Sequence, residues 1–198
     1  MPHVVLVRHG ETEWSKDGRH TGTTDIPLTQ VGREQALRLG SELARWQFAL
    51  VLSSPLQRAL DTCRLAGYGD VVQLRPDLAE WDYGRYEGKT SAEIATEQPR
   101  WSLWTDGGPG GETAADVARR VDRLITGVRR VSGDVLLFSH GHVLRVLTAR
   151  WLGEMPETGR YYALETAGLS VLGYEHNDPV IRRWNQPPGA ETSSHGPP

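Results

Sequence analysis

Two apolar segments of this sequence are each followed almost at once by histidine. Residues 4–7 lead into Arg8 and His9, and residues 135–138 lead, after one serine, into His140. Polar and charged side chains are costly to bury at the end of a core strand unless they are paired or used. In α/β proteins, ligands bind at the edge where the carboxyl ends of parallel strands meet. We therefore predict that His9 and His140 face each other across one crevice.

A second arginine is predicted at the same edge. The apolar residues 50–52 run through two serines and a proline into a helix whose first turn carries Arg58. Together with Arg8 and the two histidines, it would form a cationic pocket for a small, dense anion. Phosphate suits such a pocket, because a guanidinium pairs bidentately with its oxygens and a helix start adds backbone N–H groups to the positive field.

Apolar patterning predicts the strands that carry these residues. Three segments are continuous apolar runs, which is typical of strands buried on both faces: residues 4–7, 50–52 and 135–138. Residues 71–74 are predicted to form a further short strand. Residues 169–174 and 180–184 are predicted to form a final hairpin or edge pair. Because helical patterns alternate with the strands, we predict an α/β protein, a three-layer α/β/α sandwich around a mostly parallel central sheet with an antiparallel edge strand.

Cap residues and apolar stripes predict the helices between these strands. Their expected starts are Thr29, Ser54-Pro55, the capping box at Thr90, Thr113, and the residues after His140. The first of these helices is predicted to bury Leu37, Gly40, Leu43 and Ala44. The helix after Thr113 has the clearest apolar stripe, with members at 4, 3, 4, 3 spacing: Val117, Val121, Leu124, Val128 and Val131.

Composition limits the class of protein. The chain has 198 residues, a net charge of −3 and one cysteine, Cys63, which is predicted to be a buried filler late in its helix. A negative balance argues against a general binder of nucleic acid or anionic membranes, and no apolar run approaches the ~20 residues of a membrane helix. We expect a cytoplasmic protein with one domain over residues 1–186. Residues 187–198 have almost nothing to bury and are predicted to be a disordered tail.

A series of motifs, in the order of the chain, resembles the signature of the histidine phosphatases, the phosphoglycerate-mutase-like superfamily. A lone Arg-His-Gly would be weak evidence, but the whole series is specific, and the likeness covers residues 4–174. The motifs are Leu6-Val7-Arg8-His9-Gly10-Glu11-Thr12, Thr21-Gly22 with Pro27-Leu28-Thr29, Ser53-Ser54-Pro55-Leu56-Gln57-Arg58-Ala59, Glu80 with Gly84 and Glu87-Gly88, Gly111-Glu112-Thr113, and Ser139-His140-Gly141.

The resemblance implies a role for each residue of the predicted pocket. His9 would attack phosphorus and become a phosphohistidine, while Arg8, Arg58 and His140 would hold the phosphoryl oxygens. Glu80 would protonate the leaving alkoxide and then deprotonate the attacking water. No metal or cofactor is then required, because the arginines supply the positive charge. The residues expected to bind substrate are Arg8, Ser15, Thr21, Gly22, Arg58, Trp81, Tyr83, His140, Gly141 and His142.

Residues beside the motifs resemble the phosphatase branch, in particular phosphatases of small sugar phosphates, some of which take bisphosphates. In the mutase branch an arginine follows the catalytic acid, whereas here Trp81 follows Glu80, and Ser15 replaces an asparagine. We expect a metal-independent phosphomonoesterase whose partner is a small phosphorylated metabolite. A cofactor-dependent phosphoglycerate mutase is the first alternative, and a non-catalytic protein that binds a phosphorylated ligand is the second.

For several features the sequence allows two interpretations. A metal site at His140 and His142 is the weaker alternative to their lining a substrate pocket, because acidic ligands do not converge on them. The tryptophans of residues 101–112 either form a wall or lid over the pocket or pack this insertion onto the body. A second anionic group of the substrate could meet Lys16, Arg85 or Lys89, although all three are simpler to interpret as surface residues. An edge strand at residues 169–174 would allow a homodimer.

Overall fold

One six-stranded sheet forms the centre of the protein in the computed structural model, which describes residues 3–189. Its strands are β1 Val4–Arg8, β2 Phe48–Ser53, β3 Gln73–Leu74, β4 Asp134–Ser139, β5 Leu169–Glu175 and β6 Asp178–Gln186. The strand order is β3-β2-β4-β1-β5-β6. The first four strands in this order are parallel, whereas β5 is antiparallel to β1 and β6 is antiparallel to β5. The predicted mostly parallel sheet with antiparallel pairing at one end is confirmed.

Helices cover both faces of this sheet. Within the described residues the α-helices are α1 Glu13–Lys16, α2 Gln30–Leu43, α3 Gln57–Cys63, α4 Ser91–Glu97, α5 Leu103–Asp106, α6 Ala114–Val128 and α7 Gly141–Trp151. Val5 and Val7 of β1 pack with α2 and α3, whereas Val4 and Leu6 pack with α6 and α7. Successive side chains of a strand point to opposite faces, so β1 needs an apolar residue at every position. The three-layer sandwich is confirmed.

The strand register brings three predicted site segments to one edge. Arg8 at the end of β1 lies opposite Ser139 at the end of β4, and the backbone N–H of His9 donates to Ser139 O at 2.9 Å. On the other side of β4, Ser53 at the end of β2 lies opposite Phe138. The chain therefore leaves three neighbouring strands at the same level, and the turns that follow them are placed side by side.

The buried face of α2 differs from the prediction. Ala36, Leu39 and Leu43 are fully buried, whereas Leu37 is 57% exposed and Ala44 lies in solvent. Only one of the four predicted residues is therefore fully buried. Several rotations of a weakly amphipathic helix are compatible with one sequence, and the position of α2 over the sheet decides between them. The expected cap at Thr29 is confirmed, since its side chain accepts the Gly32 N–H.

Three other predicted boundaries also change. Helix α3 begins at Gln57 rather than at Pro55, and the hydroxyl of Ser54 accepts the Leu56 N–H before the helix begins. Leu56, rather than Ser54, is the extended residue directly before the first helical turn, so the helix starts at Gln57. Strand β3 contains only Gln73–Leu74. Strand β5 is not an edge strand as predicted, because β6 covers it.

Several local predictions are confirmed. Capping boxes open α4 at Thr90 and α6 at Thr113, and the predicted stripe of α6 is buried from Val117 to Val128. Cys63 is fully buried, and burial raises the pKa of its thiol to about 12, as expected for a filler rather than a nucleophile. Within residues 3–189 no helix is long and apolar enough to cross a membrane. Beyond residue 189, the predicted disordered tail lies outside the described residues.

Candidate active site

His9 and His140 face each other, as the strand pattern predicted. Their ring centroids lie 5.2 Å apart. The His9 Nδ1–H donates to Gly10 O at 2.7 Å, which leaves the lone pair of Nε2 available for bonding. Burial, followed by the positive charges of Arg58 and Arg8, holds the pKa of His9 well below its usual value. The imidazole is therefore neutral, as a nucleophile must be.

Arg58 lies beneath the cavity and is fully buried. Its Nε donates to Nδ1 of His140 at 3.1 Å, and its two terminal nitrogens donate to the carbonyl oxygens of Thr21, Gly22 and Thr24. Because a guanidinium has five N–H donors, these four hydrogen bonds leave one donor. Arg58 therefore holds the loop of residues 21–24 in place and keeps its charge under the cavity.

His140 also lies beneath the cavity, with both ring nitrogens engaged. Since its Nδ1 accepts from Arg58, its Nε2 carries the hydrogen and donates to Ser54 Oγ at 2.8 Å. Burial and the charge of Arg58 hold the pKa of His140 well below its usual value. We call His9, Arg58 and His140 the floor, because His9 lines the cavity, the His140 ring packs against His9, and Arg58 holds His140.

Above the floor is a cavity of about 230 Å³. Eight of the predicted substrate or catalytic residues line it, namely Arg8, His9, Ser15, Thr21, Glu80, Tyr83, Gly141 and His142. Four do not line it, namely Gly22, Arg58, Trp81 and His140. Six lining residues were not predicted, namely Gly18, Arg19, His20, Ser91, Arg145 and Leu164. Arg145 could have been found from its spacing, because it follows His142 by three positions and Gly141 by four on one helix.

Arg8 brings the second guanidinium to this cavity. Its Nη1 donates to Leu164 O at 2.5 Å. Its Nε is buried and has no hydrogen-bond partner among the described residues. A buried donor without a partner is costly, and burial lowers the pKa of Arg8. An anion in the cavity would supply the missing acceptor.

Glu80 lies at the start of α7. Its carboxylate accepts the backbone N–H groups of Trp81, His142 and Val143 at 2.9, 3.1 and 3.0 Å. These contacts hold the carboxyl group against the first turn of α7 and against the backbone of Trp81. Trp81, which was expected to bind substrate, does not line the cavity. Its ring is fully buried beside His142, with ring centroids 6.4 Å apart, and donates to Glu112 O at 2.8 Å.

Arg120 anchors the segment that carries Glu80, and the sequence analysis missed it. This nearly buried arginine of α6 donates to the backbone carbonyl oxygens of Asp77, Ala79 and Glu80. It also pairs with both carboxylate oxygens of Glu112 at 2.9 and 3.0 Å. In the apolar stripe of α6, Arg120 lies three residues after Val117 and four residues before Leu124. A charged residue on a buried helical face was therefore the available signal.

Three neighbouring rings line part of the cavity. The rings of His20 and His142 are stacked with centroids 6.2 Å apart and an interplanar angle of 3°, and Tyr83 makes edge contacts with both. Arg145 completes this surface. We call His20, Tyr83, His142 and Arg145 the wall, because all four line the cavity and none belongs to the floor.

The insertion of residues 101–112 supports the wall from behind. Trp101 contacts His20 with ring centroids 5.6 Å apart, and Trp104 contacts His142 at 5.5 Å. Neither tryptophan lines the cavity, so the interpretation as a lid is wrong and the packing interpretation is correct. The glycines of the insertion allow this packing, because a Cβ on Gly111 would lie 2.2 Å from Asp82 O.

A neutral, buried histidine beside two arginines, at the carboxyl edge of a mostly parallel sheet, is an arrangement suited to phosphoryl transfer. The chain belongs to the histidine phosphatase superfamily (branch 1), whose family model matches residues 4–187. Among the described residues, no group of three or more His, Cys, Asp or Glu side chains could hold a metal ion.

Known proteins of this superfamily resemble the chain over most of its length. It is 42% identical over 177 residues to an acid phosphatase of Mycobacterium tuberculosis, covering 87% of each chain. It is 36% identical to sedoheptulose 1,7-bisphosphatase of Saccharomyces cerevisiae, covering 77% of this chain and 68% of that one. The solved structure of the open reading frame Rv3214 from M. tuberculosis superposes with a TM-score of 0.90 at 39% identity, covering 94% and 98%. The chain is accordingly a phosphatase of the histidine type.

Proposed function

We propose that this phosphatase is a metal-independent phosphomonoesterase of the acid type. It acts on small sugar-phosphate-like metabolites through a phosphohistidine at His9. The observation that carries the proposal is the state of His9, whose Nδ1–H is held by Gly10 O while burial and two arginines keep the ring neutral. Nε2 is then the nucleophilic atom, and it needs no proton removed before attack.

In the first step, Nε2 of His9 attacks phosphorus in line with the leaving oxygen. The P–O bond breaks as the N–P bond forms, and Glu80, in its protonated form, gives its proton to the leaving alkoxide. Arg8 binds a phosphoryl oxygen through its unpartnered Nε, and Arg58 adds its remaining donor and its charge from below. His140 binds an oxygen by exchanging Ser54 for it as the acceptor of its Nε2–H.

In the second step, water attacks the phosphohistidine. Glu80 accepts the proton of the water, the P–N bond breaks, and inorganic phosphate leaves with His9 again neutral. The cationic charge of the two arginines offsets the charge that builds on the phosphoryl oxygens in both steps. The small cavity, together with the similarity of the chain to an acid phosphatase and a sugar bisphosphatase, supports a small phosphorylated metabolite as substrate.

The proposal is tested by measuring hydrolysis of p-nitrophenyl phosphate in the presence of EDTA. The covalent phosphoenzyme is trapped by rapid quench during turnover. We expect turnover without metal, an acid-labile phosphoenzyme, and the loss of both in His9→Ala, with kcat falling by about 10⁴-fold or more, the scale seen when a covalent nucleophile is removed. A matched control is His176→Ala, because His176 is an exposed histidine in the turn between β5 and β6. Full hydrolysis by His9→Ala would contradict the proposal.

The two alternative functions give different results in a related assay. A mutase would isomerise phosphoglycerate in the presence of bisphosphoglycerate faster than it releases phosphate, whereas we expect free phosphate as the main product. A non-catalytic binding protein would turn over neither compound. Trp81 directly follows Glu80, whereas mutases carry an arginine at that position. This difference supports the assignment as a phosphatase.

We also infer, from the net negative charge, that nucleic acid and anionic membranes are not partners, and, from the single cysteine, that the protein acts in the cytoplasm. A homodimer remains a prediction, but it would now pair through β6 or β3, since β5 is internal to the sheet. Sedimentation equilibrium measures the mass of the particle directly. A particle with the 22.0 kDa mass of one chain would contradict the homodimer.

A further inference from the structure

Four residues other than glycine have left-handed backbone among the described residues, and only two of them belong to the turn of a hairpin. His176 and Asn177, with φ of 47° and 77°, connect β5 to β6, where two left-handed residues suit the twist of the strands. Ala167 and Asn185, with φ of 55° and 52°, lie just before β5 and near the end of β6. Left-handed backbone is unfavourable for a residue with a side chain, and such outliers often lie at functional positions.

Ala167 belongs to a short segment, residues 163–168, that lies against Arg8 and His9. The backbone N–H of Ala167 donates to His9 O at 3.0 Å, and another carbonyl of the segment accepts the backbone N–H of Arg8 at 3.2 Å. The carbonyl oxygen of Leu164 accepts the Arg8 Nη1–H. We call residues 163–168 the Arg8 support, because this segment contacts both the backbone and the guanidinium of Arg8.

Asn185 holds the Arg8 support from the edge of the sheet. Its Oδ1 accepts the backbone N–H of Glu165 at 2.8 Å, and its own backbone N–H donates to Ser170 Oγ at 3.0 Å. Gly168 makes room for the amide, because a Cβ there would lie 2.5 Å from Asn185 Oδ1. The pairing of β5 with β6 shifts register at this point, and bulges of this kind redirect side chains next to active sites.

Trp184 makes a second contact between β6 and the Arg8 support. Its Nε1–H donates to Ala163 O at 2.6 Å. Ala163 and Glu165, the two residues that β6 holds through side-chain hydrogen bonds, lie directly before and after Leu164. The Leu164 carbonyl that accepts from Arg8 is therefore fixed on both sides along the chain.

The guanidinium of Arg8 has few other contacts that could set its direction. Leu164 O is its one hydrogen-bond acceptor among the described residues, and its buried Nε has no partner there. Arg58, in contrast, donates to His140 and to three backbone carbonyls. The direction of the Arg8 guanidinium therefore depends on the position of Leu164 O.

We propose that Asn185 and its neighbour Trp184 are positioning residues for the phosphatase reaction. Through the Arg8 support they hold Leu164 O where it directs the unpartnered Nε of Arg8 toward the phosphoryl group. Asparagine suits this task, because it tolerates left-handed backbone and its short side chain supplies an acceptor. Neither residue lines the cavity, so both act indirectly. The inference rests on the proposed function, which assigns a phosphoryl oxygen to Arg8.

The experiment compares glycine substitutions at the two asparagines with left-handed backbone. Glycine adopts this backbone without strain, so each variant loses only its side chain. We expect Asn185→Gly to lower kcat/KM for p-nitrophenyl phosphate by about three- to tenfold, the scale of one hydrogen bond. The matched control Asn177→Gly, in the exposed turn, should keep the wild-type value. Asn185→Asp keeps an acceptor oxygen and should recover most of the loss.

A double-mutant cycle with Arg8→Ala separates positioning from a purely structural role. The loss caused by Asn185→Gly should disappear in the Arg8→Ala background, because the guanidinium that Asn185 positions is absent there. An equal loss in both backgrounds, or no loss in the presence of Arg8, would overturn the inference and leave the proposed function intact. Wild-type activity of Arg8→Ala would instead refute the role of Arg8 in the proposed function, and this inference with it.

Trp184→Phe gives the same test at the second contact if Asn185→Gly does not fold. Phenylalanine keeps an aromatic ring beside Tyr162 but lacks the Nε1–H that donates to Ala163 O. We expect a loss of about threefold or more in kcat/KM that occurs only in the presence of Arg8. The inference would be overturned by an unchanged kcat/KM or by a loss of the same size without Arg8.

Discussion

The floor and the wall of the cavity are built in different ways. The floor residues His9 and His140 directly follow the strands β1 and β4 and are buried; one ring nitrogen of His9 and both of His140 are held by protein atoms. The wall residues come from a helix and from irregular segments, and Arg145 keeps most of its donors unoccupied. Side chains held in one geometry are thus placed at strand ends, and side chains with unused donors are placed around the sheet.

The largest effect expected from this difference is on stability in acid. His9, His140 and His142 have pKa values held well below the usual value of ~6.5. Below about pH 6.5 the unfolded chain therefore binds more protons than the folded chain, and the free energy of unfolding falls as the pH falls. Three such groups give a slope of about 4 kcal/mol per pH unit. Urea unfolding measured between about pH 5 and pH 6 checks this.

A variant of the wall histidine His142 separates its contribution to the slope from that of the floor histidines His9 and His140. His142→Gln should lower the slope by about 1.4 kcal/mol per pH unit, because one of three protons is removed from the balance. The exposed His176 offers the control, and His176→Gln should keep the wild-type slope. A wild-type slope near zero in this range would mean that the buried imidazoles are not neutral in the folded protein.

The next largest effect is expected for Arg58→Lys in the floor. A lysine ammonium cannot reproduce the planar fork that reaches His140 and three backbone carbonyls. Each buried acceptor left unsatisfied costs about 1–3 kcal/mol, so we expect kcat/KM for p-nitrophenyl phosphate to fall by about 10²-fold or more. Steady-state kinetics measure this. Arg38→Lys, on the exposed side of α2, is the control, and equal activities of the two variants would contradict the assigned geometry.

A smaller and more selective effect is expected for Arg120→Gln. Arg120 positions Glu80 through the backbone and through Glu112, so its loss should impair proton donation to the leaving group, a contribution of about 10²–10⁴-fold when complete. We expect kcat to fall by about tenfold for an alkyl phosphate but less for p-nitrophenyl phosphate, whose leaving group needs little acid assistance. Arg150→Gln, which breaks the ion pair with Asp122, is the control. Equal losses on both substrates would indicate a purely structural role.

The smallest effect is expected behind the wall, for Trp104→Phe. The Trp104 ring supports the Arg145 guanidinium, and a cation–π contact contributes about 0.5–1 kcal/mol at such a site. We expect KM for a sugar phosphate to rise about two- to fivefold, with kcat nearly unchanged. Trp46→Phe, far from the cavity in the cluster with Phe48, is the control. A fall in kcat with KM unchanged would show that the wall takes part in the chemistry.

Much of the floor could be predicted because its cause is local in the sequence. The apolar runs before Arg8 and Ser139 define parallel core strands, and the strand ends define where the following residues lie. The rotation of α2 could not be predicted, since Leu37 is as apolar as Leu39 and only the sheet beneath the helix distinguishes them. The sequence analysis likewise placed Trp81 at the pocket, although its ring is buried and does not line the cavity.

The sequence by itself determined the fold class, the order of the motifs and the meeting of His9 with His140, because strand patterning and register follow from local apolar periodicity. Only the tertiary structure decided which cationic groups are left with free donors. Arg58 is almost fully occupied by backbone carbonyls, whereas Arg145 has acceptors for only two of its N–H donors among the described residues. Hydrogen-bond partners that are distant along the chain make this difference, and no pattern of residue types records which carbonyl a folded guanidinium will meet.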